Sequence, residues 1–213
     1  MPENNMDHAL KNMVKNADLL DKKDGISGNA NGEEPKHGIS ESVDGKEQRF
    51  GVPEVGSGRG QKLIIREMQP EDVPAVAALE AACFSEPWSE QAFLDALKQP
   101  EALMMAAIGM GNNPMGYCGI YLSADEGEIT NVAVRPDHRK KGIADAILTD
   151  VLSESQKRGA RTIYLEVRES NLPAQKLYKK HGFVSCGIRK NFYRKPTEHA
   201  IVMSCDLTRR ISE

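Results

Sequence analysis

Apolar and polar positions along this chain recur at two periods, and the switches between them mark the elements. From Lys62, "KLIIREM" reads as a short strand. Pro70, Glu71 and Asp72 suit a first helical turn, with acids at the positive end of the helix dipole. Val73, Val76, Leu79 and Ala82 then form one helix face. "EPW" breaks that helix, and Ser89 is a good N-cap for a second one to about Leu97. "ALMMAAIGM" and "PMGYCGIYLSA" are strands around the turn "GNNP", and "GEITNVAV" is another strand. The helical period returns over 142–157, where Ala144, Ile147, Leu148, Val151 and Leu152 share a face. "TIYLEVR" predicts a strand, residues 173–180 a helix, and "GFVSCGI" and "AIVMSCDL" the last strands. The order β-α-α-β-β-β-α-β-α-β-β predicts an α/β fold, a sheet covered by helices.

The texture before residue 62 is different. Residues 22–62 are rich in Gly, Asn, Glu, Lys and Ser. Such a segment cannot bury enough apolar surface to offset its chain entropy. The chain therefore divides into a disordered extension, 1–61, and a globular domain, 62–213. Inside the extension, Met6, Ala9, Leu10, Met13, Val14, Ala17 and Leu20 recur at helical spacing. An isolated helix of that length is barely stable in water, so the stretch reads as a fraying helix rather than a docking element.

Charge and composition exclude several classes. The chain has 213 residues with 28 Lys and Arg against 31 Asp and Glu, a net charge of −3. That near-neutrality argues against a general nucleic-acid binder. No apolar run is long enough to span a bilayer, and the first residues lack the pattern of a secretory signal. The four cysteines form no C-x-x-C pair and read as reduced thiols, mostly small core residues, in a cytoplasmic protein. The five histidines show no metal-ligand spacing, so no metal is expected.

The chemistry concentrates in "VAVRPDHRKKGIADAILTDVL", where a strand hands over to a helix through Arg139, Lys140, Lys141 and Gly142. A helix N-terminus presents unpaired backbone N–H groups and the positive dipole end. A glycine there lets a ligand approach the backbone, and three bases add charge, which suits a pyrophosphate-like anion. The stretch matches neither the P-loop nor the G-x-G-x-x-G pattern. Taken alone, a solvated basic turn explains it equally well.

Its context resembles the Gcn5-related N-acetyltransferases (GNATs), whose acetyl-CoA motif is [QR]-x-x-G-x-[GA] after a strand. Here that is Arg139, Gly142 and Ala144 after "ITNVAVRP". "CFSEPWS", "DEGEITNVAVRP", "LEVRESN", "LYKKHGF" and "GIRKNFYRKPTEHAIVM" narrow the resemblance to the RimI family of ribosomal-protein alanine N-acetyltransferases, over about residues 62–205. The resemblance implies the GNAT fold, with a mixed central sheet. It implies acetyl transfer from acetyl-CoA to the α-amine of an N-terminal alanine of a small-subunit ribosomal protein, in the cytoplasm, with no direct contact to nucleic acid or membrane.

Such a reaction needs a base for the ammonium and an acid for the departing thiolate. Glu166 shares one face of "TIYLEVR" with Tyr164 and Arg168, and a carboxylate in a β-rich run needs a reason. An exposed Glu166–Arg168 salt bridge is one; in the family the matching glutamate is the base, acting through water. Tyr178 lies on the inward face of the last helix, where a core tyrosine would also fit; in the family it is the acid. Asn171 is a natural N-cap before Pro173 and, in the family, also contacts CoA. The resemblance places the pantetheine along Val132, Ala133 and Val134, and the pyrophosphate on Arg139, Lys140, Lys141, Gly142, Ile143 and Ala144. The substrate would lie between the "CFSEPWS" loop, carrying Trp88, and the "RKNFYRKP" loop, carrying Tyr193. Trp88 fits a core aromatic as well. Phe192 stands where the family has a tyrosine, so a hydroxyl is lost there. A GNAT acting on lysine or a small amine is the nearest alternative. A non-catalytic acyl-CoA-binding module is a third, opposed by the presence of both Glu166 and Tyr178.

Overall fold

The computed structural model describes residues 63–210. The extension 1–61 and its amphipathic stretch lie outside the described residues. Eleven elements follow in the predicted order: β1 (Ile64–Glu67), α1 (Val73–Cys83), α2 (Glu90–Ala96), β2 (Ala102–Ile108), β3 (Pro114–Ser123), β4 (Glu126–Val134), α3 (Ile143–Lys157), β5 (Thr162–Arg168), α4 (Leu172–Lys180), β6 (Val184–Arg194) and β7 (Thr197–Asp206). They build one seven-stranded sheet in the order β1-β2-β3-β4-β5-β7-β6. All neighbours are antiparallel except β4 and β5. Their parallel pairing needs a crossover, which α3 supplies.

The sheet is covered on both faces. Leu103, Met105, Cys118 and Ile120 pack with Ile147 and Leu148 of α3. Their strand neighbours Met104, Ala106 and Tyr117 pack on the other face with Val76 and Leu79 of α1 and Phe93 of α2. Two-sided burial explains why β2 and β3 read as continuous apolar runs instead of alternating ones. Ser89 caps α2 by accepting from the Ala92 amide at 3.2 Å, as its position predicts.

Local differences from the predicted pattern have physical causes. In α1 it is Glu80, not Ala82, that completes the buried face. In α3 the buried set includes Ile143 and Ala146, while Ala144 is half-buried. Cys118 and Cys205 are core residues, but Cys186 is exposed on the edge strand β6. The "RKNFYRKP" segment is not a loop. It is the end of β6 and the turn into β7, paired through Tyr193↔Glu198 and Arg194↔Thr197. A register shift between Arg189 and Tyr193 breaks the alternation that would have revealed a strand.

One irregularity positions the site. Gly119 pairs with Asn131 and Ile120 with Ile129, so Thr130 is an extra residue in β4. Its Oγ1 donates to the Gly119 carbonyl at 3.3 Å. A bulge moves the following side chains to the opposite face. Ile129 accordingly joins the α3 core, whereas Ala133 joins the α1 core and Val132 and Val134 pack on the α3 side. Gly119 allows this close approach: a Cβ there would lie 2.8 Å from Met104 Sδ and 3.0 Å from Thr130 Oγ1.

Candidate active site

β4 pairs with β5 only as far as Ile129↔Leu165, but with β3 as far as Val134↔Gly116. Residues 130–134 therefore present an edge that β5 does not cover, and the two parallel strands splay apart. The Arg135 amide donates to Met115 on β3 at 2.9 Å. Backbone directions alternate along a strand, so the amides and carbonyls of Val132 and Val134 point into the splay.

The basic turn closes one end of the splay. Gly142 is left-handed at φ 79° and Lys140 at φ 61°, so the chain coils tightly before Ile143 starts α3. Glycine adopts that conformation at no steric cost. Asp145 in the first helical turn is held by Lys180 at 2.7 and 2.8 Å and by His181 at 2.9 Å. The Lys180 ammonium keeps its carboxyl below the usual range, and this pairing offsets the acid's charge beside the basic turn. Lys140 and Lys141 are exposed. The Arg139 side chain turns back instead, donating to the Val134 carbonyl at 3.2 Å and approaching Cys83 Sγ at 3.4 Å. Arg139 thus pins the turn to the end of β4. Asn171 caps α4, accepting from the Ala174 amide at 3.2 Å.

Glu166 lies on the sheet face away from α3, with a side chain only 11 % exposed. Its partner is Arg189 of β6 at 3.1 Å, not Arg168. Arg168 instead pairs with Glu198 at 3.1 Å and donates to the Lys195 and Pro196 carbonyls at 3.0 and 3.1 Å. Burial raises the Glu166 carboxyl above the usual range, with Arg189 and a hydrogen bond from Glu128 opposing the rise. Glu128 is pushed up to about 7, first by burial and then by the charge of Glu166.

Tyr178 sits in the opposite, helix-covered core, edge-on to Phe183 at 5.8 Å between centroids. Burial raises its phenol well above 10, so it stays protonated and able to donate. Base and acid candidates therefore lie on opposite faces of the sheet. Tyr193 bridges toward Glu166: its hydroxyl donates to the Glu166 carbonyl at 3.2 Å and its ring lies under the Arg168 guanidinium at 4.1 Å. Burial, then the Glu166 charge, pushes this phenol up to about 12. Phe192 remains 41 % exposed beside Arg189. Trp88 is half-buried against Phe93 at 5.3 Å and packs on the α1–α2 core, as the core-aromatic alternative expects.

Three residues of this region were missed from the sequence. Glu80 is fully buried and accepts from the Tyr117 hydroxyl, from Asn131 Nδ2 at 2.9 Å and from the Trp88 amide at 3.4 Å. Burial raises its carboxyl, and those three donors oppose the rise. Arg189 and Glu128 frame Glu166. A glutamate inside "GEITNVAV" is the same signal that singled out Glu166 and could have found Glu128.

The family model for the GNAT acetyltransferases matches residues 73–183. The chain belongs to the GNAT acetyltransferase family. Its GNAT domain is 36 % identical to a Bacillus subtilis protein named as a candidate ribosomal protein bS18-alanine N-acetyltransferase, over 67 % of this chain and 94 % of the relative. Identity to the Escherichia coli ribosomal protein bS18-alanine N-acetyltransferase is 33 %, covering 68 % and 97 %. The crystal structure of the Escherichia coli ribosomal-protein-S18-alanine N-acetyltransferase superposes with a TM-score of 0.63 at 31 % identity, covering 68 % of this chain and 94 % of that one. As a GNAT enzyme the chain is an acetyl-CoA-dependent N-acetyltransferase.

Proposed function

We propose that this enzyme acetylates the α-amine of an N-terminal alanine on a small-subunit ribosomal protein, in the cytoplasm. The observation that supports the reading is that Glu166 follows the last β4–β5 pair on one face of the sheet while Tyr178 lies in the core on the other. The names of the two bacterial relatives support the substrate. Acetyl-CoA would lie with its pantetheine along Val132, Ala133 and Val134. Its pyrophosphate would sit on the amides of Gly142, Ile143 and Ala144 beside Lys140 and Lys141, with Arg139 bracing the turn and Asn171 at the start of α4. The peptide would enter over the face that carries Trp88 and Tyr193. Glu166 accepts a proton from the ammonium, through water; the freed amine attacks the thioester carbon; Tyr178 protonates the departing thiolate.

An α-ammonium titrates near 7.7–8.0 and a lysine near 10.4, so exposing a free lysine amine costs roughly 3 kcal/mol more at neutral pH. That difference favours an α-amine over a lysine side chain. Glu166→Gln and Tyr178→Phe should each slow kcat by about 10²–10⁴-fold on an N-terminal alanine peptide, with melting temperature and CoA affinity nearly unchanged. Near-normal rates in both would refute the assignment. Mass spectrometry of N-terminal peptides from a deletion strain, with and without the gene restored, tests the substrate.

A further inference from the structure

Glu128 lies one strand from Glu166, on the same face of the sheet. The parallel register sets Glu128 beside Tyr164, and Glu166 is the next residue of β5 on that face. The two carboxyls are hydrogen-bonded to each other, and Arg189 bears on both. Facing Glu128 are Tyr164 and Glu166 on β5, Arg189 on β6 and Tyr121 on β3. Burial raises both tyrosines, so they remain neutral near pH 7. One guanidinium therefore faces two carboxyl groups, and a single negative charge on the pair balances it.

We propose that Glu128 acts through Glu166: the two carboxyls share one proton, and the pair, not Glu166 alone, receives the proton of the substrate ammonium. The inference rests on the general-base reading of Glu166. The proton ledger closes. With both carboxylates ionised, the N–H bond of the ammonium breaks and its proton, relayed by water, ends between Glu128 and Glu166. The neutral amine attacks the thioester carbon and the C–S bond breaks. The thiolate takes a proton from Tyr178, and a second proton leaving nitrogen restores Tyr178. The carboxyl pair returns its proton to water. An isolated glutamate, near 4.3, is a poor match for an ammonium near 7.7–8.0. Glu128, at about 7, brings the acceptor to within about one unit of the donor.

The test is the pH dependence of kcat/KM on an N-terminal alanine peptide with the full chain. Below pH 7 the peptide amine is still an ammonium and supplies the proton, so only the carboxyl pair must ionise, and the wild-type log kcat/KM should rise with a slope near one toward pH 7. Glu128→Gln keeps a donor to Glu166 but cannot hold the shared proton. The rise should move to lower pH, leaving the profile flatter just below pH 7, and kcat should drop by about tenfold. An unchanged profile and rate overturn the proposal. Carbon-13 carboxyl NMR gives a readout apart from turnover. One glutamate should titrate near 7 and return toward the ordinary range in Glu166→Gln; absence of such a group, or no change in it, also overturns the proposal. If Glu166→Gln is slow while Glu128→Gln is normal, only the sharing fails. If Glu166→Gln is itself normal in rate, the general-base reading fails first.

Discussion

Replacing Glu80 probes the part of the molecule that holds the splayed strand from behind. Its carboxylate is fully buried and joins four elements: α1, which carries it, β3 through Tyr117, β4 through Asn131, and the turn before α2 through the Trp88 amide. Glu80→Ala removes the acceptor for all three donors and leaves a void. Loss of one member of a buried, hydrogen-bonded charged network costs about 3–5 kcal/mol. For a domain of this size that corresponds to a fall in Tm of roughly 10 °C. Glu80→Gln should be far milder. The Asn131 and Trp88 donors both reach the same carboxylate oxygen, which the amide oxygen can replace. The amide nitrogen then faces Tyr117, whose hydroxyl can accept, so one mismatched hydroxyl proton remains, worth about 1 kcal/mol. The pH dependence adds a sign. A carboxyl raised in the folded state binds its proton more tightly there than in the unfolded chain. Its contribution is therefore fully present below the unfolded value and lost as pH rises through the folded one. Wild type should show this loss above the ordinary carboxylate range, and Glu80→Gln should show less of it, the remainder coming from Glu128 and Glu166. Thermal unfolding by circular dichroism across pH reads both effects. Equal losses in the Ala and Gln variants, or a wild-type Tm for Glu80→Ala, would refute the network's role.

Gly142→Glu should abolish CoA binding in a calorimetric titration, because its carboxylate would repel the pyrophosphate and its φ of 79° would strain any side chain by about 1–2 kcal/mol. Unchanged affinity would make the turn a solvated surface. A fragment beginning at Gln61 should keep the cooperative thermal transition and acetyl transfer, since the preceding composition has no core-forming pattern; aggregation of the fragment would overturn the proposed domain boundary.

The order of elements was legible where an element shows one periodic face, as in Ile163, Leu165 and Val167 of β5 or Ile147, Leu148 and Val151 of α3, or a continuous apolar run, as in β2 and β3. The faces that Glu166 and Tyr178 take were legible for the same reason, whereas their proposed roles came from the resemblance and not from the period. Periodicity reports which face a residue takes, not which strand lies beside it. The Glu166–Arg189 pair is set by the order β5-β7-β6, in which β7 lies between the two partners' strands. Glu80 meets Asn131 across 51 residues, through a contact that only tertiary packing creates. The basic turn showed its charge in the sequence, but not that Arg139 would bind the Val134 carbonyl instead of pointing outward.

The bulge at Thr130 connects these observations. In a regular strand, Glu128, Val132 and Val134 would share a face, and Asn131 would point with Ile129 into the apolar core under α3. There its amide would have no match, at a cost of about 1–3 kcal/mol. The extra residue reverses the alternation after Ile129. Glu128 keeps the face of Glu166, Asn131 turns to the same side and reaches Glu80, and Val132 and Val134 fall back onto the α3 core. The strand also changes partners there: before the bulge it pairs on both edges, after it on one. A single inserted residue thus divides β4 into a segment that sets a carboxyl beside the proposed base and a segment whose outer edge β5 leaves unpaired, the edge proposed for acetyl-CoA, with Glu80 anchoring the second from behind.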